Sequence, residues 1–229
     1  MKHPLSQNRT AGAILVNMLI AFVSLFVNGF GVYLTIHAGI GAAPWDVFNL
    51  GLSGTVGIRY GTASIIVSCT ILVIDILLRE PIGLTMIIDA LTVGKTVDLF
   101  EYLDIVPVPG TLVGKILMLL AGLVVLAYTY FFYMSAALGC GPRDTLLVGL
   151  KKRLKKLPIG LVSILLLGTV TLIGWLLGGP VGIGTLLCAF ASGPIIQLAF
   201  FTVKFDAAAV KHQNIVESCR VIFKKEGSS

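Results

Sequence analysis

From Gly12 to Ile36 the chain carries no Asp, Glu, Lys, Arg or His. A bilayer span needs roughly 20 consecutive apolar residues, so this run can cross a membrane, and it is too long for the core of a signal peptide. It reads as a retained first span behind a short basic N-terminus, MKHPLSQNRT. Further apolar runs place spans at about 12–36, 60–79, 82–100, 112–136, 159–178 and 182–203. Composition agrees. Of the 229 residues 56% are hydrophobic and 12% charged, with a mean hydropathy of +0.97, where a soluble domain carries about 25% charged residues. An ordinary soluble domain, a disordered chain and a nucleic-acid-binding module are excluded. Six spans leave no room for a second, soluble domain.

Two segments, 44–58 and 142–157, are shorter than a span. The second ends in Lys151, Lys152, Arg153, Lys155 and Lys156. Each cation costs about 2.5–3.5 kcal/mol at the centre of a spanning helix, so this segment must finish at a membrane surface. Both are expected to be short re-entrant or interfacial helices. Cytoplasmic loops are enriched in Lys and Arg. With the N-terminus inside, the cytoplasmic side collects Lys2, Arg9, Arg79, Arg143, the 151–156 cluster and the five basic residues of the tail. Arg59 falls clearly outside, and Lys115 lies at a span boundary. The net charge of +6 is therefore read as topology, with both termini in the cytoplasm.

The chain repeats itself. Gly41-Ala-Ala-Pro44-Trp45-Asp46, followed by Gly51-Leu52, recurs 98 residues later as Gly139-Cys-Gly-Pro142-Arg143-Asp144, followed by Gly149-Leu150. After a one-residue shift, Gly61, Ser64, Pro81, Gly83, Ala90 and Gly94 match Gly160, Ser163, Pro180, Gly182, Ala189 and Gly193. Matched Gly and Pro weigh more than matched apolar residues, because they mark backbone requirements. Three spans per half reverse the orientation of the second half. The expected fold class is thus an all-α polytopic membrane protein of six transmembrane helices, arranged as two inverted-topology three-helix repeats, each with a short helix after its first span. The boundaries are a cytoplasmic N-terminus 1–11, a first repeat 12–100, an outer loop 101–111, a second repeat 112–203 and a cytoplasmic tail 204–229. Inverted repeats with short or broken helices at their interface are a transporter signature, although duplication also serves purely structural ends.

The loop motif has a physical reading. Gly39 and Gly41 permit positive φ or close backbone approach. Pro44 suits a first helical turn, and Asp46 in that turn can accept free N–H groups and complement the helix dipole. Gly139, Gly141, Pro142 and Asp144 follow the same logic. The two helix N-termini are expected to converge toward the midplane, where such termini attract anions, unless the two aspartates already cap them. Trp45 is replaced by Arg143 in the copy. The pair is either an interfacial anchor and a cytoplasmic charge, or an aromatic wall facing an anion-binding cation.

Polar stripes run along three spans. Asn17, Ser24, Asn28, Gly31 and Thr35 fall within about 60° on one face of the first, Ser64, Ser68 and Asp75 on the second, and Thr85, Asp89, Thr92 and Thr96 on the third. Such stripes face the bundle interior. Asp89, mid-span, is either a proton relay or cation ligand, or a neutral acid bonded to a neighbouring helix. Lys95 and Asp98 are expected to pair. The second half carries Gly184, Cys188 and Ala191 instead, so binding chemistry concentrates in the first. The cluster Tyr128, Tyr130, Phe131, Phe132 and Tyr133 reads as an interfacial aromatic belt. The tail reads as a surface helix followed by disorder.

Cys69, Cys140, Cys188 and Cys219 show neither a disulfide framework nor zinc spacing and read as small apolar fillers. His37 and His212 lack ligand spacing. No Ser–His–Asp arrangement, HExxH or Walker loop is present. No enzyme activity, cofactor or metal is expected.

The run GIGAAPWDVFNLGLSGTVGIRYGTASI with the later PIGL, and the weaker copy GCGPRD…PVGIGTLL, resembles the YczE/YyaS/YitT-type bacterial integral membrane proteins, closest to the YczE branch, over about 12–203. The resemblance implies a bacterial cytoplasmic membrane protein and carries over no catalytic residue or substrate. Arg143, standing where a second Trp would be, departs from the motif. The leading reading is a secondary transporter or permease for a small solute, with alternating access between the repeats. Trp45, Asp46, Arg143 and Asp144 would frame the site, and Asp89 and Asn28 would line the approach. The alternatives are a membrane accessory or scaffold protein that recruits cytoplasmic partners through the 151–156 cluster and the tail, or a substrate-binding subunit of a larger transporter. The bilayer is the assured partner, a small solute or cytoplasmic protein the further candidate, and nucleic acid is none.

Overall fold

The computed structural model describes residues 10–210 and 212–223. Among them the chain is entirely helical: α1 (Ala11–His37), α2 (Pro44–Val56), α3 (Tyr60–Leu77), α4 (Leu84–Leu103), α5 (Leu112–Ser135), α6 (Pro142–Arg153), α7 (Ile159–Leu176), α8 (Ile183–Thr202), a 3₁₀ turn (Ala207–Ala209) and α9 (Ile215–Phe223). Five of these, α1, α3, α5, α7 and α8, are long and apolar enough to cross a membrane. The chain is a multi-pass helical membrane protein. The expected span 82–100 corresponds to α4, which has the length, at 20 residues. It carries Asp89, Lys95, Asp98 and Glu101, and so falls outside that apolar set.

Local sequence sets the helix ends. The Thr10 and Thr111 hydroxyls accept the third N–H beyond them, Ala13 and Gly114, at the starts of α1 and α5. Pro44 and Pro142 open the short helices. Both short helices end earlier than expected, at Val56 and Arg153. Gly57, with φ 74°, closes the first. Large apolar side chains along α1, α7 and α8, such as Leu19, Phe22, Ile164, Phe190 and Phe201, are exposed, as hydrocarbon-facing residues are.

Glycines carry the packing. α1 and α5 cross where Gly31 and Gly122 meet: a Cβ added to Gly122 would lie 2.8 Å from the Gly31 carbonyl oxygen. α1 also packs on α4, where Gly29 abuts Thr96. Each short helix packs on the long helix of the opposite half, α2 on α7 through Gly51, Gly174 and Gly179, and α6 on α3 through Gly149, Leu78 and Glu80. The loops after α1 and α5 also match. The Ile40 carbonyl accepts the Gly184 N–H (2.8 Å) and the Leu138 carbonyl accepts the Thr85 N–H (3.1 Å). Gly41 lies against Gly182, and Gly139 against Gly83.

The match breaks most clearly between the last two helices of each half. α3 and α4 are packed together, whereas α7 and α8 barely touch. Gly61 and Gly94 are in backbone contact, a Cβ on Gly94 meeting the Gly61 oxygen at 2.8 Å. Their counterparts Gly160 and Gly193 have open space around them.

The tail returns to the bundle. The Gln213 N–H donates to the Ala137 carbonyl (2.8 Å) and the Ile215 N–H to the Ile82 carbonyl (2.7 Å), so α9 is stitched to both loops of one clasp. The expected surface helix is present; residues 224–229, expected to be disordered, lie outside the described residues. All four cysteines are free.

Candidate functional site

The start of α2 meets the start of α6. Their N-caps, Ala43 and Gly141, make no side-chain cap bond, and each first-turn aspartate accepts a tyrosine hydroxyl from another helix. Asp46 is buried and its Oδ1 accepts the Tyr60 hydroxyl at 2.8 Å. Arg143 reaches across from α6, with Nη1 3.7 Å from the same oxygen and the guanidinium 5.4 Å from the centre of the Trp45 ring. Asp144 Oδ2 accepts the Tyr133 hydroxyl at 3.3 Å. The capping role expected of the two aspartates is therefore not the one observed. A phenol from another helix competes better for each carboxylate than the N–H groups of its own turn.

Asp89 approaches from α4. A Cβ placed on Gly141 would lie 3.1 Å from Asp89 Oδ2 and 3.5 Å from Asp144 Oδ2, so both carboxylates lie against that glycine and a side chain there would crowd Asp89. From α1, the Asn28 amide donates to Thr129 Oγ1 at 2.9 Å. All six residues singled out from the sequence, Asn28, Trp45, Asp46, Asp89, Arg143 and Asp144, line one cavity of about 410 Å³ between the halves.

Other expectations need correction. Arg143, counted as a cytoplasmic charge, points into this cavity, because Asp46 and Trp45 hold it there. The polar stripes contribute less than expected. The Ser24, Thr35 and Thr96 hydroxyls donate to carbonyls of their own helices, leaving Asn28 and Asp89 to reach the cavity from α1 and α4. Asp75 is fully buried outside it, with neither carboxylate oxygen hydrogen-bonded among the described residues. Lys95 and Asp98 form no ion pair among the described residues. Asp98 instead accepts the Gly61 N–H at 2.7 Å, at the start of α3. Tyr130 and Tyr133 are cavity residues, not part of a belt; Tyr128 is exposed. The basic cluster is partly consumed: Lys152 Nζ pairs with the buried Glu80 at 2.5 Å, and Arg153 Nη2 donates to the Leu78 carbonyl at 3.0 Å.

The sequence reading missed Tyr60, Tyr130 and Tyr133 as site residues, together with Ser163 and Ser192. Two signals were available. Tyr130 and Tyr133 are three apart on a helix, and Ser163 is the repeat counterpart of Ser64, which also lines the cavity. Among the described residues no group of three or more His, Cys, Asp or Glu is placed to hold a metal ion.

Comparison with known proteins agrees with the family read from the motifs. The profile of a family of unknown function, DUF6198, matches residues 15–200. An uncharacterised membrane protein of Bacillus subtilis, YczE, is 32% identical over 204 residues, covering 83% of this chain and 92% of its own. An uncharacterised Haemophilus influenzae protein is 32% identical over 182 residues, covering 78% of this chain and 80% of its own. The uncharacterised B. subtilis protein YyaS is 26% identical over 179 residues, 77% of this chain and 88% of its own. No solved structure matches.

Proposed function

We propose that this chain, which belongs to the DUF6198 family, is a secondary transporter for a small solute that works by alternating access between two inverted repeats. In this reading α4 is the sixth span, its polar residues turned to the bundle. The termini and the 151–156 cluster face the cytoplasm. The central cavity is the solute site, and the solute crosses chemically unchanged.

The observation that carries the reading is the unequal state of one repeated contact. Gly61 and Gly94 close α3 on α4, while the equivalent Gly160 and Gly193 stand apart on α7 and α8. Two halves built on one pattern have equivalent ways to close. On this reading the closed pair seals the cavity toward Arg59, and the parted pair leaves its way out beside the start of α7, next to the basic cluster. That is an inward-open state. In the outward-open state Gly160 and Gly193 would meet and Gly61 and Gly94 would part. The rival scaffold reading loses support because Lys152 and Arg153 already serve the fold.

The test is a pair of distances. Nitroxide labels at the exposed Leu165 and Leu198 report on α7 and α8. Labels at the matched positions Ile66 and Leu99 report on α3 and α4. The four native cysteines are replaced by alanine. Double electron–electron resonance in lipid vesicles is expected to give two populations, one distance long where the other is short. A single, fixed distance for both pairs, with and without a proton gradient, would sink the reading.

A further inference from the structure

We infer that the solute this cavity takes is a small organic cation, an ammonium on an apolar body. The inference rests on the transporter reading and names its substrate class. It reverses the expectation that two helix N-termini and an arginine would draw an anion.

The charge count comes first. Three carboxylates, Asp46, Asp89 and Asp144, line the cavity against the single guanidinium of Arg143. Arg143 is already engaged by Asp46 and stacked over Trp45, so those two charges offset each other. Asp144 accepts one long bond from Tyr133. Asp89 has no hydrogen bond or ion pair within 4 Å among the described residues. Two carboxylates thus lie near Gly141 with no cation in direct contact, and the one guanidinium of Arg143 acts on both only from a distance. In a low-dielectric interior an unpaired carboxylate is expensive, and a ligand cation relieves two at once.

The serines of α3 supply an independent observation. Ser64 and Ser68 are 3% and 5% exposed and line the cavity, yet neither hydroxyl has a hydrogen-bond partner among the described residues. Elsewhere on the same helix Thr70 donates to the carbonyl four residues back. Both hydroxyls open onto the cavity and are free to meet a ligand's polar end.

Size and lining choose the kind of cation. A volume of about 410 Å³ suits a small organic molecule and is far too roomy for a bare ion. Tyr60 and Tyr130 present aromatic surface, which attracts alkylammonium groups. Leu126, Leu166 and Ile196 give an apolar wall for the body.

The experiment is a thermal-unfolding assay of the full chain purified in detergent at neutral pH. The probes are choline and butylammonium, the neutral carbon isostere dimethylbutanol, and butyrate. A ligand that binds the folded state raises its apparent Tm. At least one ammonium is expected to raise Tm, with dimethylbutanol and butyrate at least about tenfold weaker. Asp89→Asn is expected to lower the ammonium affinity at least about tenfold, and Asp144→Asn likewise, while each ligand-free variant melts at or above the parent Tm because a like-charge pair has been relieved. A variant melting well below the parent is misfolded, and the other then decides. A shift from butyrate or dimethylbutanol equal to that from the ammoniums overturns the inference. So does no shift from either ammonium, or an ammonium shift unchanged in both variants. The paired label distances are read without any ligand, so failure of the cation assignment and failure of the transporter reading stay separate.

Discussion

At the scale of single residues, the positions most sensitive to change are backbone positions. Gly41 has φ +111° and sits so close to Gly182 that an added Cβ would lie 2.7 Å from its amide nitrogen. Gly41→Ala meets both a strained φ and a backbone that has nowhere to go. It is expected to destabilise the protein by about 2 kcal/mol or more. Gly54→Ala, in the last turn of α2 with open space around it, is expected to stabilise by up to about 0.5 kcal/mol, since alanine loses less freedom in a helix. Urea unfolding of the two variants side by side checks the contrast. Sequence exposed Gly41 because its motif is repeated at Gly139. It also exposed the acids, because a carboxylate in an apolar run stands out. It hid what those acids bind. Tyr60 and Tyr133 reach Asp46 and Asp144 from other helices, and a tyrosine in an apolar stretch looks the same whether it faces headgroups or a cavity.

At the scale of elements, the starts of the two short helices were legible because Pro44 and Pro142 impose them chemically, whereas both ends were placed too late. The roles of surface charges were not, since an ion pair is made across elements. Lys152, 58% exposed at its side chain, neutralises Glu80, which is 4% exposed. Removing the lysine strands a buried carboxylate, and Lys152→Ala is expected to cost about 2 kcal/mol, reduced from the full buried-pair value by the lysine's own exposure. Lys155→Ala, with no ion pair among the described residues, is expected to change stability by less than about 0.5 kcal/mol. Thermal unfolding at low and high salt separates them. The docked tail gives a pH-dependent element. Burial holds the His212 imidazole below its usual range. Its neutral form therefore favours docking, fully so above the unfolded pKa of about 6.5, and that contribution is lost as pH falls through the lower folded value. Trypsin cleavage within 204–223 is expected to accelerate on acidification, and His212→Gln to flatten the profile.

At the scale of the whole molecule, spaced glycines and prolines make the repeat visible in the sequence, but not the packing of α2 on α7 and of α6 on α3. Which glycine pair is closed was not readable, because Gly61 with Gly94 and Gly160 with Gly193 are the same residues at the same spacing. If the proposed alternating access holds, the difference belongs to the conformation and not to local chemistry, so substitution at matched positions should act unequally. At Gly193 a side chain enters open space, and Gly193→Leu is expected to leave stability within about 1 kcal/mol of the parent. It would nevertheless stand where α7 and α8 must meet, so the α7–α8 label distance should keep only its long population. At Gly94 the same leucine strikes the Gly61 oxygen at once. Gly94→Leu should disfavour the α3–α4 closure, either lowering Tm or shifting the molecule to the state with a short α7–α8 distance. Label distances and unfolding curves for both variants test this directly. Equal effects at the two positions would mean that the glycine pairs do not exchange and that the asymmetry is a fixed feature of the fold.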